Sequence, residues 1–70
     1  MEWIDVADST RVLAVAYNPD SEEIYVRFPD GTEWCYRECS PTIWEEFMAA
    51  GASKGQYIHE VLNGNPNGRC

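Results

Sequence analysis

The sequence predicts an α+β domain: a three-stranded antiparallel meander followed by two short helices packed on one of its faces (β-β-β-α-α). Three observations predict it. Residues 24–28 and 32–37 alternate apolar and polar side chains with the period of half-buried strands. Between them, Pro29-Asp30-Gly31 has the composition of a tight hairpin loop. Beyond residue 40 the apolar period changes to that of a helix, twice, each time behind a start signal.

The hairpin fixes its own register. Pro29 sets φ at the first loop position, Asp30 suits the second, and Gly31 takes the left-handed third. Phe28 then faces Thr32. On one face Arg27 meets Glu33, Glu23 meets Arg37, and Tyr25 meets Cys35 between them. On the other face Ile24 meets Tyr36 and Val26 meets Trp34. Opposite charges pair on one side and large apolar groups on the other, a sorting that a one-residue slip would invert. The first strand, residues 11–17, is expected to reach this hairpin through the turn Asn18-Pro19-Asp20-Ser21. Tyr17 would then pair with Ile24, Val15 with Val26 and Leu13 with Phe28 on the core face. Val12, Ala14 and Ala16 would share the opposite face with Tyr25.

Ser40-Pro41 starts the first helix, serine as N-cap and proline in the first turn. Ile43, Trp44, Phe47 and Met48 form its apolar stripe, Glu45 and Glu46 face water, and Gly51 ends it. Ser53 and Gln56 read as a capping box for a second helix with Tyr57, Ile58, Val61 and Leu62 inward, stopped by Asn63-Gly64. A single domain is expected over residues 1–64, with residues 65–70 a flexible tail rich in Asn, Pro and Gly.

Twelve Asp and Glu against five Lys and Arg give a net charge of −7. Phosphate backbones are recognised by a surplus of cationic side chains, so nucleic acid is not an expected partner. Three cysteines without a dense framework fit a reducing compartment, and the N-terminus lacks a basic region leading into an apolar run. The expected location is the cytoplasm, with no membrane segment, as a monomer or weak homodimer.

Chemistry-bearing groups are few. His59 falls between the stripe positions of the second helix, with no cysteine or serine placed beside it, and no catalytic residue is assigned. Cys35, Cys39, His59 and Cys70 could formally be four metal ligands, but their spacing matches no compact zinc knuckle. No metal and no cofactor are expected. The most suggestive stretch is Ala52-Ser53-Lys54-Gly55-Gln56-Tyr57, which sets a hydroxyl, an ammonium and free backbone N–H groups at a helix start. Ser53, Lys54, Gly55 and Tyr57, with Tyr36, are the candidate ligand-binding residues for a small anion, and a plain helix cap is the competing explanation. The outer-face strip Tyr25, Cys35, Ala14 and Ala16 is the candidate surface for a partner.

Taken together, Asp8-Ser9-Thr10, Val15-Ala16-Tyr17-Asn18, Asp30-Gly31, Trp34-Cys35-Tyr36 and Ala52-Ser53-Lys54-Gly55-Gln56-Tyr57-Ile58-His59 resemble the KTSC domain family over residues 6–62. That family occurs at the C-terminus of some lysyl-tRNA synthetases and as stand-alone small proteins in bacteria and phages. Trp34 stands where the family's central motif has tyrosine, Ala16 where glycine is usual, and His59 where asparagine is usual. The family's function is not established; its synthetase context implies RNA binding. The functional expectation for this chain is a small non-enzymatic module engaging a protein partner. The alternative is a binder of a small anionic ligand or a nucleotide or RNA end through Ser53-Lys54-Gly55.

Overall fold

The computed structural model describes residues 2–70. Its centre is the meander: β2 (Ala14–Asn18), β3 (Glu23–Arg27) and β4 (Glu33–Tyr36). The β3–β4 register is the one its loop dictates, with Ile24 opposite Tyr36, Tyr25 opposite Cys35, Val26 opposite Trp34 and Arg27 opposite Glu33. The Gly31 N–H donates to the Phe28 carbonyl at 2.9 Å, the Phe28 N–H to the Thr32 carbonyl at 2.8 Å, and Gly31 sits at φ +90°. The expected charge pairs form along the outer face, Arg27 to Glu33 at 2.8 Å and Arg37 to Glu23 at 3.5 Å.

β2 pairs with β3 as expected from Tyr17–Ile24 to Val15–Val26 and on to Ala14–Arg27. There the expectation fails. The Leu13 N–H also donates to the Arg27 carbonyl, at 2.8 Å, so Leu13 and Ala14 together oppose Arg27 in a β-bulge. The extra residue reverses the alternation. Val12, expected on the outer face, is buried in the core, while Leu13, expected in the core, is 48% exposed.

Among the described residues the sheet has five strands rather than three, in sequential antiparallel order. β1 (Ile4–Asp5) pairs with β2, and β5 (Asn67–Arg69) pairs with β4, setting Trp34 opposite Arg69 and Tyr36 opposite Asn67. The stretch expected to be a loose tail after residue 64 is therefore an edge strand. Cys70 is bonded to Cys35, with Cα atoms 5.3 Å apart, which removes the cysteines' support for a reducing compartment; Cys39 alone stays a thiol. Asn-Gly-Arg has neither alternation nor β-branched residues, and the three-residue strand follows from pairing and the covalent bond instead.

Helix α1 (Pro41–Ala49) starts as its sequence requires, the Ser40 hydroxyl accepting from the Ile43 N–H with proline in the first turn. Gly51, at φ +57°, turns the chain through a single 3-10 turn (Gly51–Ser53) into α2 (Lys54–Glu60). Both helices cover one face of the sheet: Phe47 of α1 and Ile58 of α2, with Leu62 of the 3-10 turn that follows (Leu62–Gly64), bury themselves against Val12, Val15, Ile24, Val26 and Tyr36. Val61, assigned to this stripe from sequence, lies beyond the end of α2 and is 37% exposed.

Since nothing crowds the space a Cβ would take at Gly31, the cost of a side chain there is purely backbone strain. Gly31→Ala is expected to lower unfolding free energy by about 1 kcal/mol in urea titrations. An unchanged midpoint would contradict the turn assignment.

Candidate functional site

The segment 52–57 folds differently from its sequence reading. Ser53 has φ −93° and ψ 17°, makes no side-chain capping bond, and is exposed, so the capping box with Gln56 does not form. The preceding 3-10 turn already supplies helical geometry to the chain entering α2, which leaves the hydroxyl no cap position to fill. The Gln56 amide instead reaches Glu60 one turn on, at 3.1 Å. Lys54, the only lysine, is 4% exposed. Its ammonium donates to the Met48 and Gly51 carbonyls at 3.4 and 3.3 Å and lies 3.9 Å from an Asp8 carboxylate oxygen. A cation among the last carbonyls of α1 satisfies acceptors that the helix leaves open and opposes its dipole.

The other members of the expected anion site are engaged or covered. A Cβ on Gly55 would run into the Arg11 side chain, so the glycine admits Arg11 rather than a ligand. The Tyr57 hydroxyl donates to Glu46 at 2.9 Å; burial and then that carboxylate push its pKa up to about 12. Tyr36 is 3% exposed inside the core, its phenol pushed up by burial. Ser53, Lys54, Gly55, Tyr57 and Tyr36 thus do not present a common set of free groups to a ligand.

The outer sheet face is also largely closed. Ala14, Ala16 and Cys35 are 1%, 0% and 5% exposed, which leaves Tyr25 as the accessible member of that expected partner strip. Trp3 precedes Ile4 and falls on this face by strand alternation, and the Arg27 guanidinium lies 4.3 Å from its ring centroid. Tyr25 donates to Glu23 at 2.9 Å and Ser21 to the same carboxylate at 2.8 Å. Those hydrogen bonds, Ser21's first, hold the Glu23 carboxyl below its usual range.

One open surface among the described residues lies on the helix side, where β1 and the β2–β3 turn meet α1. A groove of about 510 Å³ is lined by Glu2, Ile4, Tyr17, Asn18, Pro19 and Trp44. Tyr17 and Trp44 stack in parallel, centroids 5.1 Å apart with planes 8° from each other, and Phe47 packs obliquely behind Trp44 at 6.1 Å. The Tyr17 hydroxyl donates to the Cys39 carbonyl at 2.7 Å, fixing the ring; burial, then the Glu22 carboxylate, raise its pKa. Ile4, 42% exposed, forms the opposite wall. From sequence alone Tyr17 and Trp44 read as core and Ile4 has no role. The usable signal was Trp3-Ile4, a pair of large apolar residues outside every predicted element. Among the described residues no cluster of three His, Cys, Asp or Glu is placed to hold a metal, and no helix is long and apolar enough to cross a membrane.

The roles of Ser53 and Lys54 are the reverse of a capping box, and stability measurements separate them. Ser53→Ala is expected to change unfolding free energy by less than about 0.5 kcal/mol. Lys54→Ala is expected to cost about 1–3 kcal/mol, because two carbonyls lose a buried charged donor. Urea titrations showing the opposite order would contradict the observed geometry.

Comparison with known proteins adds the family. The sequence profile of the KTSC domain matches residues 8–65. The crystal structure of a KTSC domain protein from Yersinia pestis superposes with a TM-score of 0.87 at 23% identity, covering 99% of this chain and 96% of that one. Among curated proteins none matches. The likeness to the Yersinia structure establishes a shared fold, and the profile match spans most of the chain, so this protein belongs to the KTSC domain family.

Proposed function

We propose that the chain is a small non-enzymatic interaction module that holds a segment of a protein partner in the Tyr17–Trp44 groove, the segment bearing an apolar anchor flanked by Lys or Arg. The observation that carries this reading is an open groove of mixed lining, Glu2 and Asn18 beside Ile4, Tyr17, Pro19 and Trp44, in a chain of net charge −7. Its floor is a rigid aromatic pair, and aromatic anchors of this kind dominate binding energy at protein interfaces. No Lys or Arg side chain lines it, whereas Glu2 does and Glu22 acts on Tyr17. The chain's Lys and Arg serve elsewhere: Arg27 and Arg37 pair with Glu33 and Glu23, Arg11 covers Gly55, Lys54 closes α1, and Arg69 lies in β5 opposite Trp34. The net charge of −7 therefore steers basic partners toward the protein and repels acidic ones.

The alternative, an anionic ligand or RNA end at Ser53-Lys54-Gly55, draws no support from the geometry. The ammonium it needs is tied to carbonyls, and the approach to Gly55 is filled by Arg11. The Cys35–Cys70 bond removes the cysteines' support for a cytoplasmic location, and a monomer or weak homodimer stays part of the proposal on composition alone.

A random-peptide display selection on the immobilised domain tests the reading without a known partner. Enriched peptides are expected to combine an aromatic or aliphatic residue with Lys or Arg. Trp44→Ala and the surface variant Ile4→Asp should each weaken them at least about tenfold. Ile4→Asp guards against the chance that Trp44→Ala unfolds the domain. No enrichment, or peptides that bind both variants as well as the parent, would overturn the proposal.

A further inference from the structure

The C-terminal strand β5 is held noncovalently by a three-residue backbone ladder to β4, Arg69 opposite Trp34, Gly68 opposite Cys35 and Asn67 opposite Tyr36, with little side-chain packing. Its residues Asn67, Gly68 and Arg69 give no side chain to the apolar core, which takes its last member from Leu62. Side-chain contact with β4 rests on the Trp34 indole N–H donating to Asn67 Oδ1 at 2.8 Å. Backbone bonds at its ends run from the Arg37 N–H to the Pro66 carbonyl at 2.8 Å and from the Cys70 N–H to the Glu33 carbonyl at 3.3 Å. A three-residue edge strand of Asn, Gly and Arg has poor intrinsic preference for that conformation. The covalent link from Cys70 to Cys35 is the strongest tie it has.

The two ends of that link differ in access. Cys35 is 5% exposed on the outer face of β4. Cys70 is exposed and borders an open depression of about 440 Å³, lined also by Asp30, Gly31, Thr32, Glu33 and Arg69. Just before the strand the chain is pinned independently: the Asn65 side-chain amide donates to the Arg37 and Glu38 carbonyls at 3.0 and 3.1 Å. A release that begins after Asn65 leaves the core untouched.

We propose that the Cys35–Cys70 bond is a redox latch: oxidised, it holds β5 on the sheet; reduced, it frees residues 66–70 and uncovers the outer edge of β4. The device is independent of the peptide groove. In the opening step a thiolate of a dithiol reductant attacks the Cys70 sulfur, the S–S bond breaks, and the Cys35 sulfur leaves as thiolate. The reductant's second thiol then attacks the mixed disulfide and expels the Cys70 thiolate. The reductant ends as its own disulfide, two electrons have passed to the protein, and the two protein thiolates take up the two protons the reductant gave up.

Amide hydrogen exchange tests the latch on the full chain, before and after dithiothreitol, with the redox state read by a mass gain of about 2 Da for two added hydrogens. Reduction is expected to speed exchange of the Arg37 and Cys70 N–H groups at least about tenfold while amides of Val15 and Val26 keep their protection. Cys70→Ser should show the fast pattern without reductant and ignore dithiothreitol. Unchanged exchange in fully reduced protein would overturn the proposal. So would acceleration of core and strand amides alike, or failure of the bond to form in air-oxidised protein.

Discussion

A single buried cation ties together the joint between the two helices. The Lys54 ammonium sits between the Met48 and Gly51 carbonyls and reaches toward Asp8, so one side chain joins the end of α1, the tight turn, the start of α2 and the loop before β2. Gly51 makes the joint geometrically possible by turning at φ +57°, and Gly55 lets Arg11 lie flat against α2. Arg11 in turn leads directly into Val12, whose burial the bulge opposite Arg27 secures. With α1 anchored by Phe47 in the core and joined to α2 at Lys54, Trp44 lies on Tyr17 of β2, and the groove beside Ile4 borders that stack.

Legibility of the fold followed the physical strength of each signal. The β3–β4 hairpin was readable residue by residue, since loop chemistry, charge pairing and apolar alternation all demanded one register. The first turn of α1 was readable for a similar reason: Ser40 and Pro41 each favour one position only. What escaped was structure imposed by tertiary context. Ile4–Asp5 and Asn67–Arg69 are too short to show a period, and they are strands because β2 and β4 offer open edges. The bulge at Leu13 adds one residue with no distinguishing composition, yet it exchanges the faces of Val12 and Leu13.

The candidate site was less legible, and the reason lies in lysine's dual character. At the start of α2 an ammonium can face solvent and an anion, or turn back to carbonyls of the preceding helix; sequence spacing allows both. Here the long stem lets the charge reach back to Met48 while its methylenes are buried. The groove was hidden for the opposite reason. Aromatic residues on a strand and on a helical stripe read as core, and only the path of the N-terminal residues shows that one side of the Tyr17–Trp44 pair stays open. The KTSC fold is shared with the Yersinia protein at 23% identity, so arguments about function rest on this chain's own side chains.

Because Lys54 is the chain's only lysine, its environment can be read without ambiguity by native-state acetylation followed by peptide mass mapping, with the N-terminal amine resolved on a separate peptide. An ammonium enclosed between carbonyls and the Asp8 carboxylate should react at least about tenfold more slowly in the folded protein than in urea-unfolded protein. Acetylation of Lys54 in the folded domain at the unfolded rate would mean that the amine stands free in solvent, and would contradict the joint on which this account of the helices depends.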